Sequence, residues 1–327
     1  KILVCYWLYL HSQCERAILF TNDICLKNLA RNLLPEAHVQ SVEPPPQEDY
    51  KGYREFYLTE KETEYFYSNL TENSLNLLPN QYGLLHDADT GILFDKICWT
   101  GEDNRALTYS TLNSQYFGKT KPYNGDPYQA LAMDSFKNNK ITMVKGPAGT
   151  GKSWLSLAYL FHLLERKQID KIIIFCNTVA TKGAAKLGYL PGSRDEKLLD
   201  SQIGNMLSTK LGGKFAVEEM IRKEELILLP FSDIRGYDTS GMNAGVYITE
   251  AQNLDIELMK LALQRIGEDS ICIIDGDYNT QVDDVHFAGS NNGMRRASKI
   301  FKGEDVYGEI TLRKIHRSRI AEIAEKM

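Results

Sequence analysis

Positive charge is in short supply in this chain: lysine and arginine number 38 against 43 aspartates and glutamates, for a formal net charge of −5. That balance excludes a whole-protein field that draws in nucleic acid, so any such binding must come from a local patch. Long hydrophobic runs are also lacking. None approaches the ~20 apolar residues of a membrane span, and no membrane association is expected. The first ten residues are apolar and aromatic, but polar and charged residues follow at once without a small-residue cleavage pattern, so no signal peptide is read. The six cysteines form no C-x-x-C pair. Cys176 and Cys272 sit inside apolar runs and read as reduced core residues of a cytoplasmic protein, and no structural zinc site is expected. The chain begins with Lys1 rather than Met, which points to a fragment, and it has no internal repeat.

What is present is a phosphate loop. Gly146-Pro147-Ala148-Gly149-Thr150-Gly151-Lys152-Ser153 fits G-x-x-x-x-G-K-[ST] at every fixed position. The run Ile141-Thr142-Met143-Val144 before it reads as a strand, and 154–161 after it as a buried helix. In that context the glycines let the backbone wrap a phosphate, and the helix N-terminus turns free N–H groups toward it. Lys152 is expected on the β- and γ-phosphates, with the Ser153 hydroxyl on Mg²⁺. ATP and Mg²⁺ are the expected cofactors.

Three regions follow from composition. In residues 1–42, Ala17-Ile18-Leu19-Phe20 reads as a strand and 24–34 as a helix, with Asp23 as a candidate N-cap. Residues 43–122 begin with a linker, Glu43-Pro44-Pro45-Pro46, and continue as a small β-rich region. There a hairpin turn is expected at His86-Asp87-Ala88-Asp89-Thr90-Gly91. Residues 123–327 alternate strands with helices. The runs 172–176, 226–229, 245–248 and 271–274 suit parallel strands buried on both faces, and 254–266 reads as a helix. The expected fold is α/β, a parallel sheet with ligands at the C-terminal ends of its strands.

Those strand ends carry the candidate chemistry. After Ile248 come Thr249 and Glu250. In many P-loop NTPases an acidic pair stands here, an aspartate for the Mg²⁺ shell and a glutamate that activates water. Glu250 is placed as the base. Thr249 takes the aspartate's place in the metal shell, where a hydroxyl can bond a metal-bound water but brings no charge. Asp277 and Gln281, beyond the next strand, are candidates for sensing the γ-phosphate and orienting water. Gln129, upstream of the loop, offers a donor and an acceptor to an adenine edge. The C-terminal stretch holds Arg295, Arg296, Lys299 and Lys302, then Arg313, Lys314, His316, Arg317 and Arg319. Arg313 or Arg317 is a candidate to neutralise transition-state charge, and others to hold a phosphate backbone.

Taken together these pieces resemble the PhoH-like ATPases, which are similar to the N-terminal core of superfamily 1 helicases. The resemblance rests on Gln129, Gly146 to Ser153, Lys186 to Gly192 with Glu196-Lys197, Ile234-Arg235-Gly236, Glu250-Ala251-Gln252-Asn253, Gly276-Asp277 with Gln281, and Arg317. The family usually has an aspartate where Thr249 stands and a shorter gap between its Gly-Asp and Gln. The resemblance implies a RecA-like P-loop NTPase that hydrolyses ATP, an RNA or single-stranded nucleic-acid helicase or translocase, and a homo-oligomeric ring, expected to be a hexamer. The loop Asn177 to Lys182 is then expected on the nucleic-acid phosphates. Residues 1–42 are similar to the C-terminal part of a PIN nuclease domain, through Ile18 to Asp23. With Asp23 as the only acid of such a site, no nuclease activity is expected from this chain. Two other readings stay open on the residues alone: a P-loop kinase, and a nucleotide-dependent assembly switch without translocation.

Overall fold

The apolar runs form strands because both of their faces are covered. In the computed structural model, which describes residues 2–12, 18–21, 23–34, 38–40, 49–176, 202–279 and 289–316, the chain forms two units, 1–49 and 50–327.

The first unit contains α1 (Ile2–His11), β1 (Ile18–Phe20), α2 (Ile24–Leu33) and β2 (His38–Gln40). The two strands pair in parallel, Ile18 opposite His38, with α2 as the connection between them. Asp23 is the N-cap of α2, its carboxylate accepting the Leu26 N–H at 3.0 Å. That bond satisfies one of the donors a helix start leaves unpaired.

The second unit opens with β3 (Tyr53–Leu58), α3 (Glu60–Ser68), β4 (Gln81–Asp87), β5 (Leu93–Trp99) and β6 (Asn104–Ala106), one sheet in chain order. Thr59 and Glu62 form a reciprocal capping box that starts α3. β4 and β5 pair antiparallel through the turn anticipated at 86–91. Asp87 there accepts the Thr90 N–H at 2.7 Å, and Gly91 takes the positive φ of +68° the turn requires. Leu58, Phe66, Leu85, Ile97 and Trp99 fill the space between sheet and helix. A short hairpin, β7 (Leu112–Ser114) with β8 (Gly118–Thr120), follows.

Next come α4 (Pro127–Asn138), β9 (Ile141–Lys145), α5 (Lys152–Glu165), β10 (Lys171–Cys176), α6 (Gln202–Leu211), α7 (Lys214–Arg222), β11 (Leu226–Pro230), β12 (Ala244–Ile248), α8 (Ile256–Leu263), β13 (Ile271–Gly276), α9 (Gly293–Phe301) and β14 (Tyr307–Thr311). The six strands form one sheet in the order β11-β10-β12-β13-β9-β14, and every pairing is parallel. This is a RecA-like P-loop fold: the strand that feeds the glycine loop lies one strand away from β12. Alternation explains the unbroken hydrophobicity. Ile172 and Ile174 pack with α4 and α5 on one face, while Ile173 and Phe175 pack with α8 and α9 on the other. Burial pushes the Cys176 thiol up to about 12 and raises that of Cys272, so both are inert packing groups.

Several contacts tie residues 50–122 to this sheet and its helices, two of them at α4 and β14. The Asp134 carboxylate on α4, fully buried, accepts two bonds from Arg105 at 3.1 and 2.8 Å and one from the Tyr82 hydroxyl at 2.8 Å. Residues 50–52 run beside β14, where the Thr311 N–H donates to Lys51 O at 3.0 Å. Gly52 has φ +81°, and a Cβ there would fall 1.3 Å from Glu309 O, so only glycine allows the approach. Among the described residues, no helix is long and apolar enough to cross a membrane.

Candidate nucleotide site

The glycine loop lies between the end of β9 and the first turn of α5. Gly146, Gly149 and Gly151 have φ of +142°, +84° and +94°, conformations that side chains rarely adopt. Crowding adds to this at Gly146, where a Cβ would meet Leu312 O at 2.4 Å. The loop is held by its own atoms and by its neighbours. Lys152 Nζ donates to Gly146 O at 2.5 Å and to Pro147 O at 3.0 Å, and Thr150 Oγ1 donates to Pro147 O at 3.0 Å. From outside, the His316 N–H donates to Gly149 O at 2.8 Å. Gln129 is buried on α4 and links two places: its Nε2 donates to Thr150 O at 2.9 Å, and its Oε1 accepts the Tyr123 N–H at 2.8 Å. These two bonds use one amide hydrogen and one lone pair of the Gln129 side chain.

Beside the loop, Ser153 Oγ donates to Asp275 Oδ2 at 2.8 Å. Asp275 is the penultimate residue of β13 and is 2% exposed. The same oxygen accepts the Tyr247 hydroxyl at 2.6 Å, and Oδ1 accepts the Glu250 N–H at 3.2 Å. Burial first, and then the Asp275 charge, raise the Tyr247 phenol well above its ordinary value, so it stays a neutral donor. Thr249 is buried at the end of β12, beside this group.

Glu250 sits in the left-handed region, φ +53° and ψ +39°, at the start of a short 3₁₀ turn, Ala251–Asn253. That backbone costs a non-glycine residue of order 1–3 kcal/mol and marks a position the surroundings over-determine. Gln252 is the linchpin. Its Nε2 donates to Glu250 Oε2 at 2.6 Å, its Oε1 accepts the Asp277 N–H at 3.2 Å, and Asn292 Nδ2 donates to its carbonyl at 2.8 Å. The expected base and the expected sensor turn are thus joined through one buried amide. The Asp277 carboxylate accepts the Asn279 N–H at 2.9 Å, which shapes that turn.

Residues 124–327 match the family described as PhoH-like protein. The chain belongs to the PhoH-like family. It is a nucleotide-binding P-loop ATPase of the PhoH type. Among similar proteins, Protein PhoH2 of Bacillus subtilis is 27% identical over 321 residues, 94% of this chain and 71% of its own length. Protein PhoH2 of Thermobispora bispora is 34% identical over 208 residues, 61% of this chain and 45% of its own. Protein PhoH of Escherichia coli is 30% identical over 180 residues, 54% and 49%. The chain therefore spans about half the length of the last two. Among solved structures, Pif1 helicase from Candida albicans aligns with a TM-score of 0.31 and 16% identity, over 61% of this chain and 42% of that one. The SWI2/SNF2 ATPase core domain of Sulfolobus solfataricus aligns with a TM-score of 0.31 and 13% identity, over 67% and 50%.

Of the residues singled out in this PhoH-like chain, Lys152, Ser153, Thr249, Glu250 and Asp277 gather at the C-terminal ends of β9, β12 and β13, with Gln129 behind the loop. Arg313 contacts residues of β3 and α4. Its Nη1 donates to Glu55 at 3.2 Å, and its guanidinium lies over the Tyr53 and Tyr128 rings at 5.4 and 5.7 Å. Gln281, Arg317 and the loop 177–182 lie outside the described residues, as do Lys186 to Gly192. Asp275, Tyr247 and Gln252 were not singled out for these roles. The signal for Asp275 was an apolar strand ending in an acid, the same pattern that drew attention to the end of β12.

Gly276 has its own part. A Cβ there would meet Gln252 Oε1 at 2.4 Å, Gln252 N at 3.0 Å and Met294 Sδ at 3.0 Å. Gly276→Ala is expected to displace Gln252, with a stability loss of about 1–3 kcal/mol for the overpacking. Denaturant unfolding reads that loss. Steady-state kinetics should show slower ATP turnover at unchanged nucleotide affinity, because the loop itself is untouched.

Proposed function

We propose that this chain is the ATP-hydrolysing part of a motor acting on RNA or single-stranded nucleic acid, in a longer protein coupled to a PIN-type ribonuclease. The observation that carries the reading is the placement of Glu250: a carboxylate beside the phosphate loop, tied through Gln252 to the turn at Asp277. A carboxylate so placed suits activation of water, whereas a kinase would direct its base at a second substrate. Nucleic acid is favoured by α9. Arg295, Arg296 and Lys299 are exposed on it, with Lys302 just beyond its end, while Met294 and Ala297 are buried beneath. In a net-acidic chain this is a local cationic stripe of the kind a phosphate backbone binds. Bound ATP would be held by the loop and Lys152, Mg²⁺ by Ser153 and the strand-end polar groups, and neighbouring copies in a ring, a hexamer by family likeness, would transmit the movement.

The test is ATP turnover with Mg²⁺, with and without single-stranded RNA, beside Lys152→Ala. RNA is expected to stimulate turnover, and Lys152→Ala to abolish it. Low turnover indifferent to RNA and DNA would sink the motor reading and leave a kinase or an assembly switch.

A further inference from the structure

A magnesium ion on a triphosphate needs hard, anionic oxygen from the protein as well as a hydroxyl. The end of β12 supplies none at its first position, since Thr249 is neutral. We infer that Asp275, on the neighbouring strand β13, provides the carboxylate of the metal site that Thr249 does not. The inference rests on the ATP-hydrolysing reading above and names the residue that gives it a metal.

Three observations converge on Asp275. The first is register. Ile248 pairs with Ile274, so Thr249 and Asp275 are the next residues on two adjacent parallel strands. Neighbouring strands lie about 4.8 Å apart, and side chains at paired positions share a face. The second is the face itself. Tyr247 and Ile273 pack with α5, and Ile248 and Ile274 pack on the opposite side. Two residues further along each strand, Thr249 and Asp275 return to the side of α5 and its phosphate loop. A carboxylate on either strand therefore serves the same space. The third is contact. Asp275 Oδ2 already accepts the hydroxyl of Ser153, the loop residue expected on the metal, at 2.8 Å.

The surroundings fit a held carboxylate. Tyr247 and the Glu250 N–H donate to Asp275 from two directions, and both bonds persist if the Ser153 hydroxyl turns toward an ion. These donors fix the carboxylate's orientation, as outer partners do for metal-binding acids. Asp275 also ties the metal position to the base, because the backbone it holds is that of Glu250.

The experiment compares binding of a non-hydrolysable ATP analogue with and without Mg²⁺, and Mn²⁺ binding to the analogue complex by electron paramagnetic resonance. The wild type is expected to bind the analogue more tightly with Mg²⁺. Asp275→Asn is expected to lose about 10–100-fold in metal affinity while keeping its metal-free analogue affinity. The exchange Thr249→Asp with Asp275→Thr is expected to restore metal binding to within a few-fold, with melting curves establishing that each variant is folded. A structural role for Asp275 predicts otherwise: Asp275→Asn would shift metal-free and metal-bound affinity together, and the folded exchange would not recover. Either result overturns the inference, as does full metal affinity in Asp275→Asn. If the wild type binds no analogue under any condition, the ATP reading itself fails and the inference falls with it.

Discussion

Glu250→Gln is expected to lower the rate of ATP hydrolysis by about 10²–10⁴-fold and to leave nucleotide affinity within a few-fold of wild type. The range is what a positioned general base contributes. Glutamine keeps the length and shape of the side chain and can still meet Gln252, so the 3₁₀ turn and the left-handed backbone at position 250 have no reason to change. What is lost is the negative charge and, with it, proton acceptance. Single-turnover measurements separate the two effects: analogue binding should be preserved while the chemical step slows. If hydrolysis continues at the wild-type rate, Glu250 is only the start of a turn, and the base lies elsewhere.

Glu309→Gln is expected to destabilise the fold by about 3–5 kcal/mol at neutral pH, the range for breaking a buried ion pair by removing one partner. Lys145 is the last residue of β9, and its ammonium is 5% exposed. It meets Glu309 Oε1 at 2.5 Å, the Tyr278 hydroxyl at 2.8 Å and Tyr50 O at 2.5 Å. Ser298 and Tyr307 hold the Glu309 carboxylate in turn, at 3.0 and 2.5 Å. Burial pulls the Lys145 value down, but Glu309 and Tyr278 outweigh it, and the net shift is upward from 10.5. A raised folded value means the wild-type pair stabilises fully below about pH 10.5, the ordinary lysine value, and loses that contribution as pH rises past it. In Glu309→Gln the largest upward influence on Lys145 is gone, and only Tyr278 and the Tyr50 carbonyl oppose burial, so the ammonium is expected to become a penalty that deprotonation relieves. The difference between the two proteins should therefore be large at pH 7 and shrink toward pH 10 and above, as read by denaturant unfolding at each pH. A difference that does not change with pH would rule out this electrostatic account.

The core strands were legible because a strand buried on both faces must be apolar at every position, as 172–176 and 271–274 are. β14 was not, because Glu309 and Gly308 interrupt Tyr307 to Thr311, and their reason to be there is non-local: Glu309 answers Lys145 on β9, and a Cβ at Gly308 would fall 2.1 Å from Ser135 Oγ. The phosphate loop was legible because its chemistry is contiguous in sequence. Asp275 was not, because its importance lies in a strand pairing and a hydroxyl 122 residues away. Gln252 was noticed as part of a motif, yet its bridging role needs the β12–β13 neighbourhood to be visible. Arg313 was read by its charge, while its two aromatic neighbours come from segments distant in sequence. The 50–122 region showed its turns through glycine and aspartate, but its attachment through Arg105 and Asp134 leaves no local pattern.

The family match begins at residue 124, and the sheet does not close there. Residues 50–52 lie along β14 and occupy the rim where another chain would otherwise add a strand. Exposed rims of this kind template association between molecules unless something blunts them. A fragment cut at 124 would bare that rim and take the Tyr50 carbonyl from Lys145 just below the phosphate loop. The stretch that identifies the family is therefore shorter than the stretch that covers the β14 rim of its sheet.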